Sequence, residues 1–382
     1  MMHQFLNTSL TNVKPSAIRQ FSQLAKEKKG CIGLTLGEPD FDTPLPIGEA
    51  AKLSIDGGDT HYIENNGDAN LRQAIVDFEK AKNGLEYGEN EVIVTVGATG
   101  GLFTALFGIL NPDDEVIVPT PAFGLYESII AMCRAKFVQL DTSTAEFQIT
   151  KEALNSLITD KTKAIILNSP NNPTGCILTQ ESLQNVLEIV KEKNIFVICD
   201  DVYNQLIYTE NCPSFAKFQE VREKIIIVQS FSKPYAMTGW RMGYLLADLP
   251  VKLQLQKVHQ FSVVSSSSIS QKACIEALKQ DITPMLEVYE KRRDFVLSRL
   301  AEMKLEFVIP QGGFYVFPSI RKFGMSSGDF CRKMIDEALL AVTPGFCFGS
   351  DEHIRLTYCY SDEQLKEGMN RLESFIKTLE VK

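Results

Sequence analysis

Long apolar runs are missing from this sequence, and the opening MMHQFLNTSL has no extended apolar core. A spanning helix needs about 20 apolar residues and a secretory leader a continuous apolar segment, so neither is expected. Blocks of like charge are missing too. The net charge is −9 and the acidic and basic residues are interspersed, which argues against the basic footprint of a nucleic-acid binder and against a cationic membrane-surface patch. The expected partners are therefore small molecules, with no nucleic acid and no membrane. Nine cysteines are present, but there is no CxxC pair and no two lie closer than twelve positions. Neither a zinc-ligand spacing nor a disulfide framework is implied, and reduced thiols fit a cytoplasmic protein. The four histidines are isolated in sequence and form no HExxH pair, so no metal is expected. The phosphate-binding patterns GxGxxG and GxxxxGK[ST] do not occur either.

What is present is the composition of a globular chain: 382 residues, 44% apolar and 23% charged, enough for roughly two domains. From about residue 90 to 246, short β-branched runs alternate with longer helical patterns. EVIVTV is followed by GLFTALFGIL, EVIVP by FGLYESIIAMC and KAIILN by ESLQNVLEIVKEK; IFVIC, IIIVQ and RMGYLLA come after. This alternation predicts an α/β fold with a mainly parallel central sheet covered by helices. Beyond about residue 280 a charged helix (EVYEKRRDFVLSRLAEM, 287–303), shorter apolar runs and a last helix near 361–379 predict a smaller α+β domain. The expected division is an N-terminal arm with part of the small domain over 1–40, a large cofactor-binding domain over 41–283 and the C-terminal small domain over 284–382.

Four polar motifs directly follow apolar strand patterns: GATGG (97–101), SPNNPTG (169–175), DDVY (200–203) and SFSK (230–233). In an open α/β sheet the carboxyl ends of the strands form the ligand edge, so these motifs should meet in one cleft. GATGG opening a helix offers free backbone N–H groups to a phosphate, although glycine-rich turns entering helices are common. Ser230 and Arg241 supply a hydroxyl and a guanidinium for the same phosphate. Asp200 at a strand end either caps a helix or meets a ligand's ring nitrogen. Tyr203 and Asn172 could bond an oxygen on that ring, while NNPTG equally reads as a tight turn. Phe123 could stack on the ring or serve as an ordinary core residue. A lone lysine at a strand end, such as Lys233, is usually only a solvated charge. In this company it is a candidate for covalent attachment of a carbonyl cofactor. A phosphate, a ring nitrogen, a ring oxygen and a lysine are together the requirements of pyridoxal 5′-phosphate.

SFSKPYAMTGWRMG (230–243) resembles the lysine motif of the class I/II aminotransferases across all fourteen positions. LGEPDFDTP (36–44), HYIENNGDANLR (61–72), NNPTG, DDVY, PQGGFYVFPSI (310–320) and IRLTYCYS (354–361) resemble further family motifs in the same order, so the likeness spans nearly the whole chain. It implies an aspartate-aminotransferase-like large domain and residue roles as follows. Lys233 is the Schiff-base lysine and general base, Asp200 the partner of the ring nitrogen, and Tyr203 and Asn172 the partners of the ring oxygen. Phe123 stacks on the ring. Ser230, Arg241 and the backbone of Ala98 and Thr99 form the phosphate cup, with Tyr62 reaching the phosphate of a neighbouring subunit in a homodimer with shared sites. Gly37, Asn172 and Arg355 receive the substrate, Gly37 and Arg355 at its α-carboxylate; read without the resemblance, Arg355 is a surface arginine on a short strand.

The resemblance is nearest to the branch with aromatic and N-acetyl-diaminopimelate aminotransferases, through AMTGWR, VHQFSVVSSSSISQKA and FPSIRKFGMSS. Threonine at position 99, where one bacterial branch of aspartate aminotransferases has a lysine for the distal carboxylate, speaks against strict aspartate specificity. Gly100 and Gly101 replace better helix formers at about 1 kcal/mol each, which either loosens the cup or permits close packing. The implied reaction is a ping-pong transfer of an amino group from an L-amino acid (aromatic, aspartate or N-acetyl-diaminopimelate type) to a 2-oxo acid such as 2-oxoglutarate. A carbon–sulfur β-lyase on the same fold is the alternative. A cofactor-sensing regulator would need an added DNA-binding domain, for which the motifs, beginning at residue 36, leave no room.

Overall fold

The computed structural model describes residues 6–380. The first five residues of the expected arm and the last two of the expected C-terminal domain lie outside these. Seven strands make the central sheet: β1 (Val92–Thr95), β2 (Glu115–Thr120), β3 (Lys136–Asp141), β4 (Thr162–Asn168), β5 (Phe196–Asp200), β6 (Ile225–Ser230) and β7 (Gly243–Ala247). Their spatial order is β1-β7-β6-β5-β4-β2-β3, and within this sheet β7 alone runs against the rest. Successive side chains of a strand point to opposite faces, and both faces here are covered by helices. Val92, Ile165, Val197 and Ile227 accordingly join one core, and Ile93, Ile166, Ile198 and Val228 the other. This two-sided burial is why β1, β4, β5 and β6 read as unbroken apolar runs. β3 was not among the expected strands, because KFVQLD is an edge strand with mostly exposed side chains and so carries no such run.

A separate core gathers the helices Thr283–Glu302, Ser327–Ala338 and Asp362–Glu380 around Tyr289, Phe314, Phe330, Met334 and Leu372. Phe21, Ala25 and Leu34 from the N-terminal segment pack into it, and Ile32–Gly33 pairs with Leu340–Ala341. Next to it, Ile354–Thr357 lies antiparallel between Thr343–Pro344 and Tyr315–Val316. Among the described residues no helix is long and apolar enough to cross a membrane.

Register brings the polar motifs together. Asn168 at the end of β4 is paired with Asp200 at the end of β5, and Gly243 lies opposite both Thr95 of β1 and Ser230 of β6. A Cβ on Gly243 would stand 2.7 Å from the Gly97 carbonyl carbon and 2.8 Å from the Ala98 nitrogen, so only glycine lets the helix Gly97–Ile109 begin so close to the sheet. Gly101 serves the same packing one turn later, where a Cβ would meet Val228 at 2.9 Å. Close packing is thus the role of Gly101.

Candidate active site

A cavity of about 1140 Å³ opens above the carboxyl ends of β1, β4, β5 and β6, walled on its far side by the helix Ala17–Glu27 and the segment around Gly37. At its floor stands Asp200, 4% exposed. Its Oδ2 accepts a hydrogen bond from the Tyr126 hydroxyl at 2.5 Å, and its backbone carbonyl accepts one from Asn168 Nδ2 at 2.7 Å. Its Oδ1 is buried and has no partner. Burial pushes the carboxyl up to about 6, against the Tyr126 hydroxyl and the Val202 amide, which hold it down. An ionised carboxylate with an unsatisfied buried oxygen is costly and calls for a donor, which a protonated aromatic ring nitrogen would supply.

Beside it, the helix Gly97–Ile109 starts without a side-chain cap at Val96, leaving its first amides to face the cavity at the positive end of the helix dipole. Gly97 takes φ +66°, and a Cβ there would stand 2.6 Å from Arg241 Nη2, so glycine both makes the turn and clears room for the guanidinium. Arg241, itself at φ +56°, anchors its Nη1 on the Thr238 carbonyl at 2.9 Å. Ser230, 6% exposed, ends β6, and its Oγ accepts the Ser232 amide at 3.0 Å. Free amides, hydroxyls and a guanidinium around one pocket suit a phosphate monoester.

Lys233 follows on the turn after β6 and reaches across the cavity, its Nζ donating to the Gly37 carbonyl at 2.5 Å. Burial draws its amine down to about 8; the Cys359 thiol and the Glu38 carboxylate pull it up, and Arg355 and Arg241 add to the lowering. A lysine so placed surrenders its proton near neutral pH, as a nucleophile or base requires.

Arg355, 2% exposed, also lines the cavity. Its Nη1 donates to Asn172 Oδ1 at 2.8 Å, and its Nη2 to the Thr35 carbonyl and, at 3.4 Å, to Thr343 Oγ1. Its Nε has no partner, and its flanks are the rings of Tyr315 and Phe348, 4.5 and 4.8 Å from centroid to guanidinium. Every partner is neutral, so a full positive charge is held in the interior without an acid, an arrangement suited to an anion. The Tyr203 and Tyr315 hydroxyls are bonded to one another at 2.8 Å just beneath. Gly37 could carry no side chain: a Cβ would sit 1.8 Å from Tyr315 Oη.

Of the twelve residues singled out from sequence, Gly37, Ala98, Thr99, Phe123, Asn172, Asp200, Tyr203, Ser230, Lys233, Arg241 and Arg355 all line this cavity. Tyr62 does not; it is 89% exposed, ahead of the helix Ala69–Asn83. Sequence reasoning passed over Asn168, Tyr126, Tyr315 and Ser232, which line the cavity as well. Ser232 and Tyr126 stood inside stretches already noticed, SFSK and FGLYESIIAMC. Tyr315 stood inside PQGGFYVFPSI, and Asn168 ended the run KAIILN.

The sequence model of the family described as aminotransferase class I and II matches residues 29–372. A Bacillus subtilis protein named probable N-acetyl-LL-diaminopimelate aminotransferase is 40% identical, over 98% of this chain and 96% of its own. The aspartate aminotransferase of Pyrococcus abyssi is 37% identical over 97% and 98%. Among solved structures, the aspartate aminotransferase of Thermotoga maritima superposes with a TM-score of 0.93 at 32% identity, covering 97% of this chain and all 100% of that one. The aromatic aminotransferase of Pyrococcus horikoshii gives 0.89 at 37% identity, covering 95% and 100%.

Proposed function

The chain belongs to the class I and II aminotransferases and is a pyridoxal-phosphate-dependent transaminase, and from that premise we propose how its residues divide the work. The observation that carries the division is Asp200, whose buried Oδ1 lacks a partner in the same cavity as a lysine lowered to about 8. The residues fit the cofactor: Asp200 would face its ring nitrogen, Tyr203 and Asn172 its ring oxygen, and Phe123 a ring face. Ser230, Arg241 and the amides of Ala98 and Thr99 would hold its phosphate. When bound, the cofactor supplies an aldehyde for the amine and a ring that disperses the electron pair released at the substrate's α-carbon. The protein's part is to keep a negative charge at Asp200, so that the ring nitrogen stays protonated. Arg355 and the segment at Gly37 orient the substrate by its α-carboxylate, and Lys233 Nζ takes and returns the α-proton. Asn172, already bonded to Arg355, offers its amide N–H groups to the cavity and so ties ring and carboxylate positions together.

The donor is an amino acid of the aromatic, aspartate or N-acetyl-diaminopimelate type and the acceptor 2-oxoglutarate. The names of the relatives support this range, and none of those cited carries a lyase name. The working form is a homodimer in which Tyr62 reaches the phosphate held by the partner. Its 89% exposure, together with exposed Leu45, Leu53 and Phe261, supports that arrangement. Nine unpaired cysteines favour a reducing, cytoplasmic setting.

Borohydride treatment of the cofactor-loaded protein, followed by peptide mass analysis, tests the reading. The expected outcome is cofactor fixed on Lys233, and a Lys233→Ala chain that binds cofactor yet loses amino transfer by about 10⁴-fold, the upper range for a general base. Label on another lysine, or retained turnover in the variant, refutes it.

A further inference from the structure

Eight of the twelve arginines are ion-paired to a carboxylate. Among the described residues Arg19, Arg134, Arg241 and Arg355 are not, and three of these four line the one cavity. Cations gathered in one cavity with no carboxylate in contact repel each other, and an anionic ligand relieves them. Arg241 and Arg355 have their anions in the reading above, a phosphate and an α-carboxylate. Arg19 has none.

Arg19 lies in the first turn of the helix Ala17–Glu27, which seats Phe21, Ser22 and Ala25 against the smaller core and so holds its outer face over the cavity. The acids at that wall are engaged by neutral groups: Glu27 accepts from Gln23 Nε2 at 2.9 Å, and Glu38 from the Thr238 hydroxyl at 2.5 Å. The Arg19 guanidinium has no protein partner among the described residues. Thr99, on the opposite side of the cavity, brings a hydroxyl and no charge.

We propose that Arg19 receives the second carboxylate of a dicarboxylic substrate, the side-chain group of glutamate or 2-oxoglutarate. A planar guanidinium fork matches a carboxylate in two-point contact, and with phosphate and α-carboxylate already provided for, the side-chain carboxylate is the remaining anion of such a substrate. The proposal rests on the amino-transfer reading. Because Arg19 is exposed in the free chain, the contact is screened and its effect modest, about fivefold. Lys26, the other cation of this helix at the cavity, stands two turns on and is the control.

The test is calorimetric titration of the holoenzyme with glutarate, set against butyrate, for wild type, Arg19→Gln, Arg19→Lys and Lys26→Gln. R19Q should weaken glutarate about fivefold and butyrate less than twofold, R19K should recover part of the loss, and K26Q should leave glutarate unchanged. Kinetics with 2-oxoglutarate and pyruvate should show the same split, carried by KM. Equal weakening of both acids in R19Q, no weakening of glutarate, or a loss that follows Lys26 would overturn the assignment. A protein that transferred no amino group to either keto acid, yet bound glutarate through Arg19, would overturn the function and uphold the subsite.

Discussion

The floor of the cavity and its far wall are held by different means. Asp200 and Ser230 terminate strands inside the seven-stranded sheet, in register with Val228 and Gly243, so backbone ladders on both sides set their positions. The segment 35–38 of the far wall has no regular structure and is held by side chains: Tyr360 on Leu36, Cys359 on the Glu38 carbonyl at 3.1 Å, Arg355 on the Thr35 carbonyl and Lys233 on the Gly37 carbonyl. Ladder geometry cannot shift without breaking a sheet, whereas side-chain contacts can be remade one at a time. The difference suits a cofactor that stays bound throughout and substrates that alternate within every cycle.

If the floor acts through fixed charge, removing that charge should have the largest effect. Asp200→Ala is expected to cost about 3 to 4 kcal/mol of barrier, some 10²- to 10³-fold in kcat, by analogy with loss of one preorganised electrostatic contact. Single-turnover rates with glutamate measure this, and a rate near wild type would remove Asp200 from its role. The same carboxyl predicts a pH effect. Burial raises it to about 6 in the unliganded chain, so it is ionised above that pH and neutral below, and cofactor affinity of the apoprotein should fall as pH drops through about 6. Fluorescence titration at a series of pH values checks the direction.

The wall comes next. Arg355→Leu should lower kcat/KM about ten- to a hundredfold for amino acid and keto acid alike, since a hydrogen bond to a charged group contributes roughly 1.5 to 3 kcal/mol. A simple amine lacking a carboxylate should react with variant and wild type at similar rates; equal losses would place the defect in the floor instead. The smallest effect is expected for Tyr126→Phe, which removes the 2.5 Å donor to Asp200 while leaving the ladder intact. About a tenfold fall in kcat with KM unchanged is expected. A change mainly in KM would mean that floor and wall are not separable.

Legibility in the sequence followed the same division. β4, β5 and β6 are buried on both faces and end in a polar residue, so NNPTG, DDVY and SFSK could each be read at a strand end from local pattern alone. The wall was legible only through the family motifs LGEPDFDTP and IRLTYCYS, because nothing local tells that Arg355 is 2% exposed without an acid. Tyr126 and Tyr315 look like ordinary core aromatics until their hydroxyls are seen against Asp200 and Tyr203. Arg19 lies in an amphipathic helix with no motif at all. Tyr62 was named from a motif, and in the single chain it faces outward.

By itself, the order of residues determined the alternation of strand and helix and the polar residues at strand ends, since each depends on neighbours within a few positions. Only the tertiary structure decided that Asp200 keeps one oxygen unpartnered, that Lys233 is drawn to about 8 and that three unpaired arginines share one cavity. Burial and charge balance are sums over residues distant in sequence, and they acquire values when the chain has closed around them.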